Sequence, residues 1–201
     1  MTSRERGTAL SLVKVIRTRQ IGRVHDGTGG HARSERMTFS RMPLRIETER
    51  LVLTPEQPSD AAWFSDLLNT RGTGTFTVAD ALARIEVMTK TIETTGIGAL
   101  VLRRRPDGDA LGYTALVVGR CSLDEPELAY ELLPRAHGHG YATEAARALL
   151  EAAFATGRRR VWSTIGSWNA PSLRVAEKLG FRRDHQTTEA VGDVVWMVCE
   201  R

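Results

Sequence analysis

Two cysteines, Cys121 and Cys199, are the whole thiol content of this 201-residue chain, too few for a disulfide framework or a zinc site. A reducing, cytoplasmic setting is the expectation that follows. No apolar run approaches the ~20 residues needed to span a bilayer. Nor is any apolar segment preceded by basic residues and closed by a small-residue cleavage site, so neither membrane insertion nor secretion is predicted. Excess positive charge is also scarce outside one region. The formal charge is +4, yet residues 1–43 hold nine Lys and Arg against three Asp and Glu, which leaves the remainder slightly acidic. Nucleic-acid binding is therefore not expected of the folded part, and the basic stretch reads as a solvated tail.

What is present is an ordinary globular composition, 41% hydrophobic and 26% charged, in a chain long enough for one domain and a remainder. The remainder is placed at residues 1–43, rich in Arg, Gly, Ser and Thr and read as a disordered extension, with an alternative natural start at Met37 or Met42. From 44 to 201 the pattern is that of a domain. A strand is expected around 51–53, then a helix over 61–69 capped near Ser59 or Asp60, and a second helix over 78–93. Residues 97–102 and 111–118 form a hairpin around Pro106-Asp107-Gly108, with Arg103 to Arg105 as its solvated end. Further strands are expected over 127–133 and 160–165, and two more near 186–190 and 194–199 with a turn at Gly192-Asp193. Between the last two pairs, Pro171 opens a helix that Gly180 and Phe181 close.

The strongest signal is the junction ELAYELLP-RAHGHGYA-TEAARALLEAAFAT, read as strand, glycine turn and helix. The first turn of a helix leaves backbone N–H groups unpartnered, and its dipole favours an anion there. Gly138 and Gly140 allow positive φ and close approach of a ligand. The helix is specified by a stripe of Ala142, Ala145, Ala146, Leu149, Leu150, Ala153 and Phe154, with Gly157 as its stop. A Walker loop is excluded because its Lys-Ser/Thr pair is missing, and a dinucleotide fingerprint because its third glycine and βαβ context are missing.

These residues resemble the GNAT superfamily of acetyl-CoA-dependent N-acetyltransferases, in its RimJ/RimL-like branch. Arg135-Ala136-His137-Gly138-His139-Gly140 fits the letters of the family turn, but the helix that follows fits better when His137 takes the Gln/Arg place and Gly140 and Ala142 are the small pair. The segment Asn169-Ala170-Pro171-Ser172 followed by Glu177-Lys178-Leu179-Gly180-Phe181 is similar to the family's second signature, and the resemblance extends over 44–201. It implies a mixed α/β fold: a mostly antiparallel, twisted sheet of six to seven strands that splays into a V, with helices on both faces.

It further implies that acetyl-CoA is the co-substrate. The pyrophosphate would be held at His137, Gly138, His139, Gly140, Tyr141, Ala142 and Thr143, and the pantetheine arm by the backbone of Leu132 and Leu133 and by Asn169. A neutral amine attacking the thioester needs a base, an oxyanion donor and an acid. Ser172 would be the acid, Glu127 or its competitor Glu189 the base, and a backbone N–H near Leu133 the oxyanion donor. As helix caps, Asn169 and Ser172 would equally be ordinary. His137 and His139 lack a third ligand, so no metal is expected. The partners implied are acetyl-CoA and an amine acceptor, a peptide N-terminus first and a small molecule or antibiotic second, with room for a homodimer. A non-catalytic acyl-CoA sensor is the reading from another class.

Overall fold

The computed structural model describes residues 39–190 and 192–201; the extension expected over 1–38 lies outside them. Eight strands form one sheet, β1 (Ile46–Glu47), β2 (Leu51–Pro55), β3 (Ala99–Arg104), β4 (Ala110–Val117), β5 (Glu127–Leu132), β6 (Arg160–Gly166), β7 (Arg182–Glu189) and β8 (Gly192–Glu200). Their order is β1-β2-β3-β4-β5-β6-β8-β7, antiparallel throughout except between β5 and β6. Among the described residues four α-helices cover it, α1 (Ala61–Asn69), α2 (Val78–Thr95), α3 (Tyr141–Ala155) and α4 (Ala170–Lys178).

Local signals set most of these boundaries. Thr77 caps α2 by accepting from the Asp80 amide at 3.2 Å, while the Asp80 carboxylate accepts from the Thr77 amide at 2.8 Å. Gly96, at φ 74°, ends it two residues later than expected. In α4 the amide of Phe181 donates to the Ala176 carbonyl at 3.0 Å and that of Gly180 to Glu177 at 3.1 Å, the two bonds of a Schellman ending.

The strand count exceeds the expected six to seven because a two-residue strand, β1, pairs with the start of β2. β7 begins at Arg182 rather than near 186, and Gly192 belongs to β8, opposite Glu189, rather than to the turn. The first five residues of β7 are exposed, so the strand carries no apolar alternation and exists through its pairing with β8.

The two sheet faces carry separate cores. Leu51, Leu53, Leu128 and Leu132 pack under α3 and α4, which contribute Ala145, Leu149 and Leu173. Ala99, Tyr113, Ala115 and Ala129 pack under α1 and α2, which contribute Phe64, Leu67 and Ile85. The alternation expected in β5 is thereby realised, with Leu128 on one face and Ala129 on the other. Residues 39–43, assigned to the extension by sequence, lie against the domain. Met42 is buried, Ser40 donates to the Thr156 carbonyl at 3.1 Å, and Phe39 lies under the Arg158 guanidinium. Arg103 is also not a solvated strand end, since its guanidinium holds the buried Asp60 carboxylate at 2.7 Å.

Candidate functional site

Among the described residues β5 and β6 are the one parallel pair, and they are joined at a single register position, Glu127 opposite Trp162. The Trp162 amide donates to Pro126 at 2.9 Å and Ser163 Oγ to the Leu128 carbonyl at 3.2 Å. Beyond Leu128 no ladder joins the two strands, so the sheet opens into a V. On the β4 side pairing continues along all of β5, with Gly112 opposite Leu132. A Cβ at Gly112 would come within 2.2 Å of the Glu131 carbonyl, so glycine is what lets β4 approach this rim of the V.

The mouth of the V is the glycine turn. A 3-10 turn, Pro134–Ala136, leads to Gly138 and Gly140, both at φ 80°, and Gly140 is the N-cap of α3. No side chain caps that helix, so the amides of Tyr141, Ala142 and Thr143 point outward without intrahelical partners. Arg50, from the segment before β2, adds fixed positive charge here. Its Nη1 donates to the His139 carbonyl at 3.0 Å, it pairs with Glu144 at 2.6 Å, and its guanidinium lies 4.7 Å from the Tyr141 ring centroid. Backbone donors, helix dipole and guanidinium together suit a phosphate or pyrophosphate group.

The expected residues divide into groups. His137 to Gly140 lie on this turn and Tyr141 to Thr143 open α3, and the His137 Nε2 is within 2.9 Å of the Leu132 carbonyl. Leu133 is not open as expected. Its amide donates to the Leu111 carbonyl at 2.9 Å and its carbonyl accepts from Ala136 at 2.8 Å. The alternation of an antiparallel pair then turns the Leu132 amide toward the gap. Asn169 caps α4, its Oδ1 accepting from the Ser172 amide at 3.2 Å, and the Tyr130 hydroxyl donates to the Ser172 carbonyl at 2.9 Å. Tyr130 thus ties the first turn of α4 to β5, a contact the sequence did not disclose.

At the closed end of the V the two candidate carboxylates belong to one network. Glu127 is buried, and its Oε1 accepts from both the amide and the hydroxyl of Thr164. Arg120 donates to Thr164 Oγ1 at 3.0 Å and to Glu189 at 2.8 Å. Beside them burial and the Glu127 charge push the Cys121 thiol up to about 12, so it is no nucleophile. Among the described residues no cluster of three metal-ligating side chains occurs, and no helix is long and apolar enough to cross a membrane.

On the α1/α2 face lies a feature absent from the sequence reading. Arg71 is buried and bonded twice by its Nε to the Glu131 carboxylate, at 2.8 and 3.0 Å, while the Tyr113 hydroxyl donates to the same carboxylate at 3.2 Å. Arg71 and Tyr113 border a cavity of about 190 Å³ between the two helices and β3 and β4.

A family model described as an acetyltransferase (GNAT) domain matches residues 50–182. No curated protein matches by sequence. Among solved structures, a protein of the GnaT acetyltransferase family from Bordetella pertussis is 27% identical with a TM-score of 0.68, over 77% of this chain and 98% of its own. RimJ of Mycobacterium smegmatis, in complex with CoA-disulfide, is 21% identical with a TM-score of 0.65, over 80% of this chain and 84% of its own. The yncA protein of Salmonella typhimurium, solved with acetyl-CoA, is 20% identical with a TM-score of 0.62, over 76% of this chain and 94% of its own. With the match over 50–182, the splayed sheet and the glycine turn at its mouth, the chain belongs to the GNAT acetyltransferase family.

Proposed function

We propose that this protein transfers the acetyl group of acetyl-CoA to a primary amine, by direct attack within a ternary complex, and that the first acceptor class is a protein N-terminus. The observation that carries the reading is the gap between β5 and β6, closed at Glu127 and opening onto an uncapped helix N-terminus. Support for the co-substrate comes from the acetyl-CoA and CoA-disulfide named for two proteins of this fold. Support for the acceptor class comes from the RimJ/RimL resemblance of the glycine turn and of Asn169 to Phe181.

The residues then divide the work. Amides of Gly138 to Thr143, with Arg50, hold the pyrophosphate, and Asn169 holds the arm. The neutral amine nitrogen bonds to the acetyl carbon, the C–S bond breaks, the proton of the resulting ammonium passes to a carboxylate, and the thiolate takes a proton from Ser172, which regains one from solvent. With the Leu133 amide committed to Leu111, the Leu132 amide is the remaining backbone donor for the oxyanion. Glu127 is the base: its Oε1 is held by Thr164, its Oε2 makes no hydrogen bond among the described residues, and Glu189 is committed to Arg120.

The test is a thermal-unfolding series on the full chain followed by an amine panel. Acetyl-CoA at about a hundred times its Kd should add roughly 2.7 kcal/mol of stability. Gly140→Trp, at a position whose φ of 80° disfavours any side chain, should abolish that shift. Glu127→Gln should retain the shift and lower kcat on peptide amines by about 10² to 10⁴. A shift with no turnover across peptides and small amines would replace the enzyme with an acyl-CoA sensor; no shift at all would remove acetyl-CoA from the account.

A further inference from the structure

The loop after β4 carries a guanidinium to the closed end of the V. Gly119 takes φ 51° and the Cys121 amide donates to the Val118 carbonyl at 2.7 Å, a tight turn that reverses the chain. From this turn Arg120 reaches past β5 to β6. Its two terminal nitrogens go to different partners: Nη1 donates to Thr164 Oγ1 at 3.0 Å, and Nη2 to Glu189 Oε2 at 2.8 Å. One side chain thereby joins the β4 loop, the far arm of the V and the end of β7.

The direction of these bonds follows from counting protons. A guanidinium only donates, so the Thr164 hydroxyl accepts from Arg120 and must turn its single proton to its other neighbour, Oε1 of Glu127. That oxygen also accepts from the Thr164 amide at 3.2 Å. Two donors aimed at Oε1 suit an ionised carboxylate, and they leave Oε2 as the atom that receives a proton. Glu127 is 1% exposed, so water screens the guanidinium one hydroxyl away only weakly. The other titratable groups around this carboxylate are Cys121 and Glu125 on the loop, with Glu189 beyond Arg120; β6 faces it with the uncharged Thr164. Glu125 is itself held by Arg160 and Trp162.

We propose that Arg120 is a positioning residue for acetyl transfer, acting through the Thr164 hydroxyl to hold Glu127 charged and oriented, with Oε2 open to the ammonium proton and Glu189 anchoring the guanidinium. The proposal rests on the reading of Glu127 as the base. It gives Glu189 a task other than proton transfer, since its carboxylate serves Arg120. When Oε2 takes the proton of the ammonium, Glu127 becomes neutral and the guanidinium keeps Glu189 as its ion partner. Loss of that proton to solvent restores the starting network. An amine becomes an effective nucleophile only as it loses its own proton, so a base kept ionised by a fixed cation is ready over the whole range in which neutral amine exists.

Carbon NMR of the full chain, labelled at the glutamate side-chain carboxyl, tests this directly, with the Glu127 resonance identified by its loss in Glu127→Gln. Arg120→Met should raise the midpoint of its titration by about one pH unit or more, and Arg120→Lys, which restores the charge, should recover most of the difference. Thr164→Val, of equal shape, should raise the midpoint too, and it tests the same path if Arg120→Met fails to fold. The double change should add little to Thr164→Val alone, because the path is then already cut. Glu189→Gln keeps both bonds of the path and should not raise the midpoint. In kcat/KM for acetylation of a peptide with an N-terminal alanine, the acid limb should move up with the midpoint, costing Arg120→Met about tenfold below the limb and little above it. An unchanged midpoint in Arg120→Met, or a profile lowered evenly at every pH, would overturn the role of Arg120 and leave Glu127 as the base. Parent-like kcat in Glu127→Gln, or no peptide turnover by the parent, would instead remove the base reading and this proposal with it.

Discussion

Glu56→Gln should convert a pH-dependent stability into a flatter one, and the size of the change can be worked from the structure. Burial, aided by the Asp60 charge, raises the carboxyl from its ordinary 4.5 to about 7, so the fold favours its neutral form. Below pH 4.5 both folded and unfolded chains are protonated here and no penalty exists. Between 4.5 and 7 the unfolded chain ionises first, and stability falls as pH rises. Above 7 the full penalty is present, and at ~1.4 kcal/mol per pKa unit it amounts to about 3 kcal/mol. The amide of Gln keeps the shape and does not titrate. The advantage of the variant over the parent should therefore grow by roughly 2 to 3 kcal/mol between pH 5 and pH 8. Urea unfolding at four pH values in that window measures it by linear extrapolation. Asp60 does not confuse the comparison, because hydrogen bonds from Trp63 and Arg103 outweigh its burial and hold its carboxyl below the usual range. If parent and variant give parallel profiles, with a difference that stays constant from pH 5 to pH 8, the buried-carboxyl argument is wrong.

Three further outcomes are expected. Arg71→Ala leaves Glu131 half-enclosed without its cation and should cost about 3 to 5 kcal/mol in urea unfolding, whereas the double change Arg71→Met with Glu131→Leu should cost far less. Gly112→Ala places a Cβ 2.2 Å from the Glu131 carbonyl and 2.6 Å from Leu132 Cα, so it should destabilise the β4–β5 rim by about 1 to 3 kcal/mol and weaken acetyl-CoA binding with it; an unchanged melting temperature would refute the close approach. Asn169→Ala should lose about 1 kcal/mol with the α4 cap. Asn169→Asp keeps an oxygen acceptor for the Ser172 amide, so a weaker acetyl-CoA Kd with stability preserved would separate a ligand contact by the Asn amide from capping, and an unchanged Kd would assign Asn169 to the cap alone.

Much of the fold was legible because its signals are local. Gly138 and Gly140 announce positive φ wherever they occur in such a turn, the stripe from Ala145 to Ala153 fixes which side of α3 is buried, and Pro171, Gly180 and Phe181 bracket α4 within one short segment. The alternation of Leu128 and Ala129 assigned the faces of β5 before any partner was known. The sequence alone could not place β1 or the start of β7, because their strand character lies in ladder bonds to β2 and β8 and their own residues are mostly polar. Nor could it join Glu189 to Arg120, sixty-nine positions away, or foresee that Leu133 spends its amide on Leu111. Glu56 shows the limit most plainly. In the chain it is one acidic residue beside a proline, of ordinary acidity. Only burial beside Phe64 and Leu68 of α1, with Asp60 close by and no cation paired with it among the described residues, makes it a buried acid poised near neutrality. Caps, turns and apolar stripes are encoded within a few residues of where they act. Burial, charge pairing and the shape of a cavity are set by elements that meet only when the chain has folded.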